Sequence, residues 1–130
     1  MNKFIKPKNL KIPISLGVIC EKTLFLSGFM GVDEDTREVI QPFSKQTEQV
    51  LNRIKNFLEK NNYTLEEVVK VTVFLTDRKF VSDFNTIYKK FFKSNYPARS
   101  LVIVKDLAID AQVEVELIAI KINRKKINGR

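Results

Sequence analysis

Apolar residues alternate with polar or small ones along residues 12–19 and again along residues 23–30, with Glu21 and Lys22 between the two runs. Side chains of a strand point to opposite faces in turn, so this period of two predicts two strands, and the short polar break predicts a hairpin joining them. Residues 33–37 are polar and predict a turn. Over residues 44–61 the period changes, because Val50, Leu51, Ile54, Phe57 and Leu58 recur at helical spacing with Pro42 ahead of them and Asn61 and Asn62 behind. That pattern predicts an amphipathic helix. Thr64 followed by Glu67 fits a capping box on one short turn, and Val68, Val69, Val71, Val73, Phe74 and Leu75 then predict a β-branched strand. Asp77 is a good N-cap, and Phe80, Phe84, Ile87, Tyr88 and Phe91 beyond it share one stripe of a second helix. Pro97 ends that region and favours extended backbone around it, so residues 98–104 read as strand and residues 106–110 as the next connection.

The last strand, residues 112–122, carries the architectural clue. Val113, Val115, Leu117 and Ala119 face one way while Glu114, Glu116, Ile118, Ile120 and Ile122 face the other. Helices can cover one face of such a sheet. The second face is also partly apolar, and self-association is the simplest way to bury it.

A length of 130 residues with 44% hydrophobic content and ten Phe suffices for one core and leaves no room for another, so residues 1–130 are expected to form one domain. Cys20 is the lone cysteine, which excludes an internal disulfide, suits a small buried residue, and points to a reducing cytoplasm. The first residues carry charges with no apolar segment after them, and no stretch is long and uncharged enough to span a bilayer. The expectation is a soluble, unexported protein.

The formal charge of +8 raises the question of nucleic acid, and its distribution answers it. Lys3, Lys6, Lys8 and Lys11 lie in a basic N-terminal segment of residues 1–11, and Lys121, Arg124, Lys125, Lys126 and Arg130 in a basic tail of residues 121–130. Nine of the 23 basic residues are therefore terminal, which leaves 14 facing 15 acidic residues in the body. Basic ends of this kind hold anionic polymers or keep a protein soluble. The absence of histidine excludes an imidazole base, a His-ligated metal and a Ser-His triad, and one cysteine excludes a thiolate cluster. Catalysis, if any, falls to carboxylates, Arg, Lys, Tyr, hydroxyls, backbone groups and water, with no metal and no cofactor expected.

Several motifs lie in a fixed order: Ser27-Gly28 closing the second strand of the hairpin, Val69-Lys70-Val71-Thr72-Val73-Phe74 with Asp77 after it, and Asn85-Thr86-Ile87-Tyr88-Lys89-Lys90-Phe91-Phe92. Pro97-Ala98-Arg99-Ser100 and Val113-Glu114-Val115-Glu116 complete the series. Nearly end to end, this order resembles the Rid family, also called YjgF or reactive-intermediate deaminase, whose members also carry endoribonuclease L-PSP and translation-inhibitor names. The resemblance implies an α/β (α+β) domain with the chorismate-mutase-like fold, a mixed six-stranded sheet with two helices on one face. It also implies a trimeric barrel with three clefts at the subunit contacts, and hydrolysis of 2-iminobutanoate or 2-iminopropanoate to 2-keto acids and ammonia.

The residues have chemistry of their own beside that resemblance. A guanidinium at Arg99 offers a planar fork to a substrate carboxylate, or else forms an ordinary strand-end salt bridge. Glu114, inside an apolar strand, is either the partner of a cation or a carboxyl whose raised pKa suits acid–base work on a water molecule. The resemblance makes Arg99 and Glu114 the catalytic pair, gives the backbone carbonyl of Leu101 a role in holding the substrate nitrogen, and adds polar contacts from Ser27, Gly28 and Asn85. Asn85 suits helix packing or capping equally well.

Three positions depart from the family's pattern. Ile14 stands where deaminase-active relatives carry a tyrosine, Phe29 stands where glutamine is usual, and the loop at residues 93–96 is short, leaving Tyr96 as a candidate to reach the cleft. An Ile14 wall in the cleft would favour bulkier apolar imines. The alternatives to a deaminase are a regulatory module of the same fold that binds a small carboxylate, and, with only the basic ends to support it, an RNA-binding protein or endoribonuclease.

Overall fold

A computed structural model describes residues 1–9 and 11–122, and the basic tail falls outside the described residues from residue 123 onward. Six strands and two helices follow one another: β1 (Lys3–Ile5), β2 (Gly17–Cys20), β3 (Thr23–Met30), α1 (Phe43–Lys60), β4 (Val68–Leu75), α2 (Val81–Phe92), β5 (Ala98–Ile103) and β6 (Val113–Ile120). The strands form one sheet in the order β1-β2-β3-β6-β4-β5. Only β4 and β5 run parallel, joined through α2, and all other neighbours are antiparallel. The sheet is mixed, with both helices on one face, as expected.

The period-two and helical patterns meet in the core. Leu24, Leu26 and Phe29 of β3, Val71, Val73 and Leu75 of β4, and Val113, Val115 and Leu117 of β6 turn toward the helices and are buried. Against them α1 sets Val50, Leu51, Ile54 and Leu58, and α2 sets Phe84, Ile87, Tyr88 and Phe92. Each of these large side chains stabilises the fold by about 1.5–3 kcal/mol on burial. Asp77 accepts from Lys79 N at 2.9 Å and opens a 3-10 turn that runs into α2, while Glu67 Oε1 accepts from Thr64 N at 2.9 Å. Both predicted caps are therefore present.

Two expectations need correction. The first strand was expected over residues 12–19, but regular pairing begins only at Gly17. Pro13 lacks an N–H, and Ile14 N turns back to Ile12 O at 2.9 Å, so Ile12 and Ile14 lie in a turn, and only Leu16 bonds to the neighbouring strands, through Ile5 O and Ser27 N. In compensation the basic N-terminal segment contains a strand of its own: β1 pairs with β2 through Lys3–Ile19, Phe4–Val18 and Ile5–Gly17. Its outward Phe4 joins Phe25, Ile118 and Ile120 on the face that no helix covers.

Candidate functional site

β5 is an edge strand, and its register fixes where Arg99 points. Arg99 lies level with Val71, a fully buried residue of the helix-covered face, so its side chain runs to that face near the rim where α2 ends its cover. There Arg99 Nη2 donates to Asn85 Oδ1 at 2.8 Å. The guanidinium also lies over the rings of Tyr88 and Phe84, with 4.9 and 5.6 Å to the centroids. A flat aromatic platform and one amide clamp thus orient the fork and leave its other donors free. Asn85, Tyr88, Lys89, Tyr96, Pro97 and Arg99 line a pocket of about 280 Å³, of metabolite size. Tyr96 shares the lining of this pocket with Arg99. Burial pushes the Tyr88 hydroxyl up to about 12, with Arg99 opposing, and that hydroxyl is buried without a hydrogen-bond partner among the described residues. Leu101, two residues along the same edge strand, packs its side chain against the core.

Glu114 lies elsewhere. Its neighbours Val113 and Val115 face the helices, so Glu114 stands half-buried on the opposite, uncovered face, level with Phe74 of β4 and Met30 of β3. Neither Arg99 nor Glu114 belongs to an ion pair among the described residues. Burial, and then repulsion from Glu116, raises the Glu114 carboxyl above the usual carboxylate range. The room for it comes from a bulge in β3 between Leu26 and Phe29, where Gly28 has no side chain to obstruct the carboxylate. Ser27, in the same bulge, donates its hydroxyl to Ser15 O at 2.6 Å and so ties the turn containing Ile14 to this half of the site.

Gln46 was not singled out by sequence and holds β6 in place. Its buried Oε1 accepts from Gln112 N at 2.7 Å and Val113 N at 3.3 Å, immediately before Glu114. A glutamine in an amphipathic helix gives no sign of such a role. Phe29 packs in the core, edge-on to Phe57 at 5.4 Å, and so lines neither half. Ile14 is 44% exposed in its turn, and the strand register expected to aim it into a cleft does not exist.

One chain therefore carries a cationic pocket at the β5 edge and, on the opposite face of its sheet, a half-buried carboxylate over the β3 bulge. Together with the mixed sheet and its single helical layer, they define a two-layer α/β protein with a metabolite-sized arginine pocket. Residues 10–121 match the family described as Endoribonuclease L-PSP, and the chain belongs to that family, which includes the Rid proteins. It is 37% identical over 111 residues to a RutC family protein of Aquifex aeolicus, covering 84% of this chain and 89% of that one. The Rid family protein YyfA of Yersinia pestis superposes with a TM-score of 0.87 at 34% identity, covering 93% of this chain and 100% of that one. E. coli TdcF, crystallised with bound serine, gives a TM-score of 0.85 at 29% identity, covering 92% and 99%. No helix among the described residues is long and apolar enough to cross a membrane.

Proposed function

We propose that the protein hydrolyses reactive 2-imino and enamine acids of the 2-iminobutanoate and 2-iminopropanoate kind to 2-keto acids and ammonia, in sites shared by neighbouring subunits of a homotrimer. The observation that carries this reading is the placement of Arg99 and Glu114 on opposite faces of one sheet. A second copy that packs on the uncovered face brings its own edge pocket toward the carboxylate. Apolar residues on that face, Phe25 and Ile120 among them, supply the reason to associate, and closed cyclic symmetry satisfies them all.

The chemistry needs no cofactor. Arg99 grips the substrate carboxylate with the donors that Asn85 leaves free, and the carbonyl of Leu101 on the same edge strand holds the nitrogen. Glu114 of the neighbouring copy holds a water and takes its proton as the oxygen adds to the C=N carbon of the protonated iminium form, whose π pair moves to nitrogen and leaves a neutral amine. Returned to that nitrogen, the proton makes it a leaving group. The C–N bond breaks as ammonia departs, the hydroxyl proton passes back to Glu114, and C=O forms. A carboxyl held above its usual range suits both directions of transfer. Residues 1–130 then act as one domain, whose basic ends serve solubility, and a lone Cys20 fits a reducing compartment such as the cytoplasm.

The test is ammonia release from freshly generated 2-iminobutanoate and 2-iminopropanoate against the uncatalysed rate. A clear acceleration, lost roughly a hundredfold or more in Glu114→Gln, is expected. Binding of 2-oxobutanoate with no acceleration would replace this reading by a carboxylate-binding regulatory module.

A further inference from the structure

The arginine pocket holds more positive charge than one carboxylate requires. Arg99 has a neutral amide, Asn85, as its hydrogen-bond partner, so its charge is not offset. Lys89 follows Asn85 by four residues on α2, which puts both on one stripe of the helix, and Lys89 lines the same pocket as Arg99, within reach of its mouth for an exposed, flexible side chain. The positions that normally pair with a helical lysine are Asn85, Thr86, Phe92 and Lys93, none of them acidic. The remaining lining residues, Tyr88, Tyr96 and Pro97, add no carboxylate, and Lys89 has no ion-pair partner among the described residues. Within one chain two cations share the lining of about 280 Å³ with no carboxylate, and Glu114 of a neighbouring copy brings one negative charge at most, so the pocket still concentrates anions.

We infer that Lys89 is a specificity residue that binds a second anionic group, so the preferred ligands are small dicarboxylates, the imines and keto acids of acidic amino acids. Arg99 takes the carboxylate next to the reacting carbon, as in the reading above on which this inference rests for that half of the ligand. Lys89, on a flexible stem at the rim, takes the distal carboxylate. A monocarboxylate leaves the ammonium unpaired. A dicarboxylate offsets both charges, and because the lysine is exposed the gain is modest and sensitive to salt.

The test compares two five-carbon keto acids that differ in the distal carboxylate, 2-oxoglutarate and 2-oxopentanoate, by calorimetry on the full-length protein at low ionic strength. Wild type is expected to bind 2-oxoglutarate roughly threefold to tenfold tighter, a preference that fades with added salt. Lys89→Met removes the preference and Lys89→Glu reverses it, whereas Arg99→Lys weakens both ligands. Equal affinities in wild type, or a ratio unmoved by Lys89→Glu, overturn the inference. Turnover is scored separately with the imines of glutamate and alanine. A dicarboxylate preference in binding without hydrolysis of any imine sinks the deaminase reading and leaves this inference standing; hydrolysis with no such preference does the reverse.

Discussion

Gly28 and Glu114 occupy a single space: a Cβ at position 28 would stand 2.8 Å from the Glu114 carboxyl carbon, closer than real Cβ atoms approach. The backbone at Gly28 has no positive φ, so the demand there is for room. In Gly28→Ala the carboxylate must swing away from the bulge. Turnover is expected to fall at least tenfold at little cost in stability, because what must give way is the far end of a flexible, half-buried side chain. The double variant Gly28→Ala/Glu114→Ala is expected to be no slower than Glu114→Ala alone, because both changes act through one group. Kinetics and thermal melts of the three proteins check this.

The raised Glu114 pKa has a definite sign in stability. Folding holds a proton on this carboxyl to a higher pH than the unfolded chain does, so its contribution is full below the ordinary carboxylate pKa and is lost as pH rises through the raised value. Glu114→Gln is always neutral. It is expected to melt above the parent at about pH 7 and to match it near about pH 4, whatever its loss of turnover. Because repulsion from Glu116 is the second cause of the shift, Glu116→Gln is expected to move the acid limb of kcat/KM to lower pH. An unmoved limb would detach it from Glu114.

The clamp on Arg99 is neutral, and that neutrality matters. Asn85→Asp would keep the 2.8 Å contact and turn it into an ion pair, which occupies the guanidinium with an internal carboxylate. Affinity for 2-oxobutanoate is expected to drop roughly tenfold or more with the fold intact, whereas Asn85→Ala, which only frees the fork, weakens it less. Titration calorimetry separates the two.

Most of the architecture could be read along the chain because the periods were clean, as in the stripe from Val50 to Leu58 and the alternation from Val113 to Ile120. The errors fell where a local pattern met a nonlocal cause. β1 has three residues in a lysine-rich segment and exists only because β2 offers an edge, while the alternation of Ile12, Ile14 and Leu16 is cut by Pro13. Arg99 and Glu114 were identifiable from their motifs. Their opposed directions were not, since these depend on the parallel register of β5 on β4. Tyr88 gave only a core signal and Lys89 only that of a solvated helix face, and the pocket that unites them forms when Pro97 brings the β5 edge beside α2.

Ile14 adjoins Ser15, whose carbonyl receives the Ser27 hydroxyl, so the turn that carries position 14 is tied to the bulge beside Glu114. Ile14→Tyr is expected to raise kcat/KM on 2-iminopropanoate about fivefold, the worth of one added hydrogen bond of about 1 kcal/mol. An unchanged value in an ammonia-release assay would remove position 14 from the site.

The central claim is that no single chain holds a complete site. Arg99→Ala and Glu114→Ala, each expected to be inactive alone, are to be unfolded, mixed in equal amounts and refolded together, and ammonia release measured against each variant refolded alone. Random assembly into a cyclic oligomer leaves roughly one interface in four with both an intact arginine and an intact glutamate, so about a quarter of wild-type activity is expected to return. A mixture as inactive as its components would contradict the claim and require both residues to act within one chain.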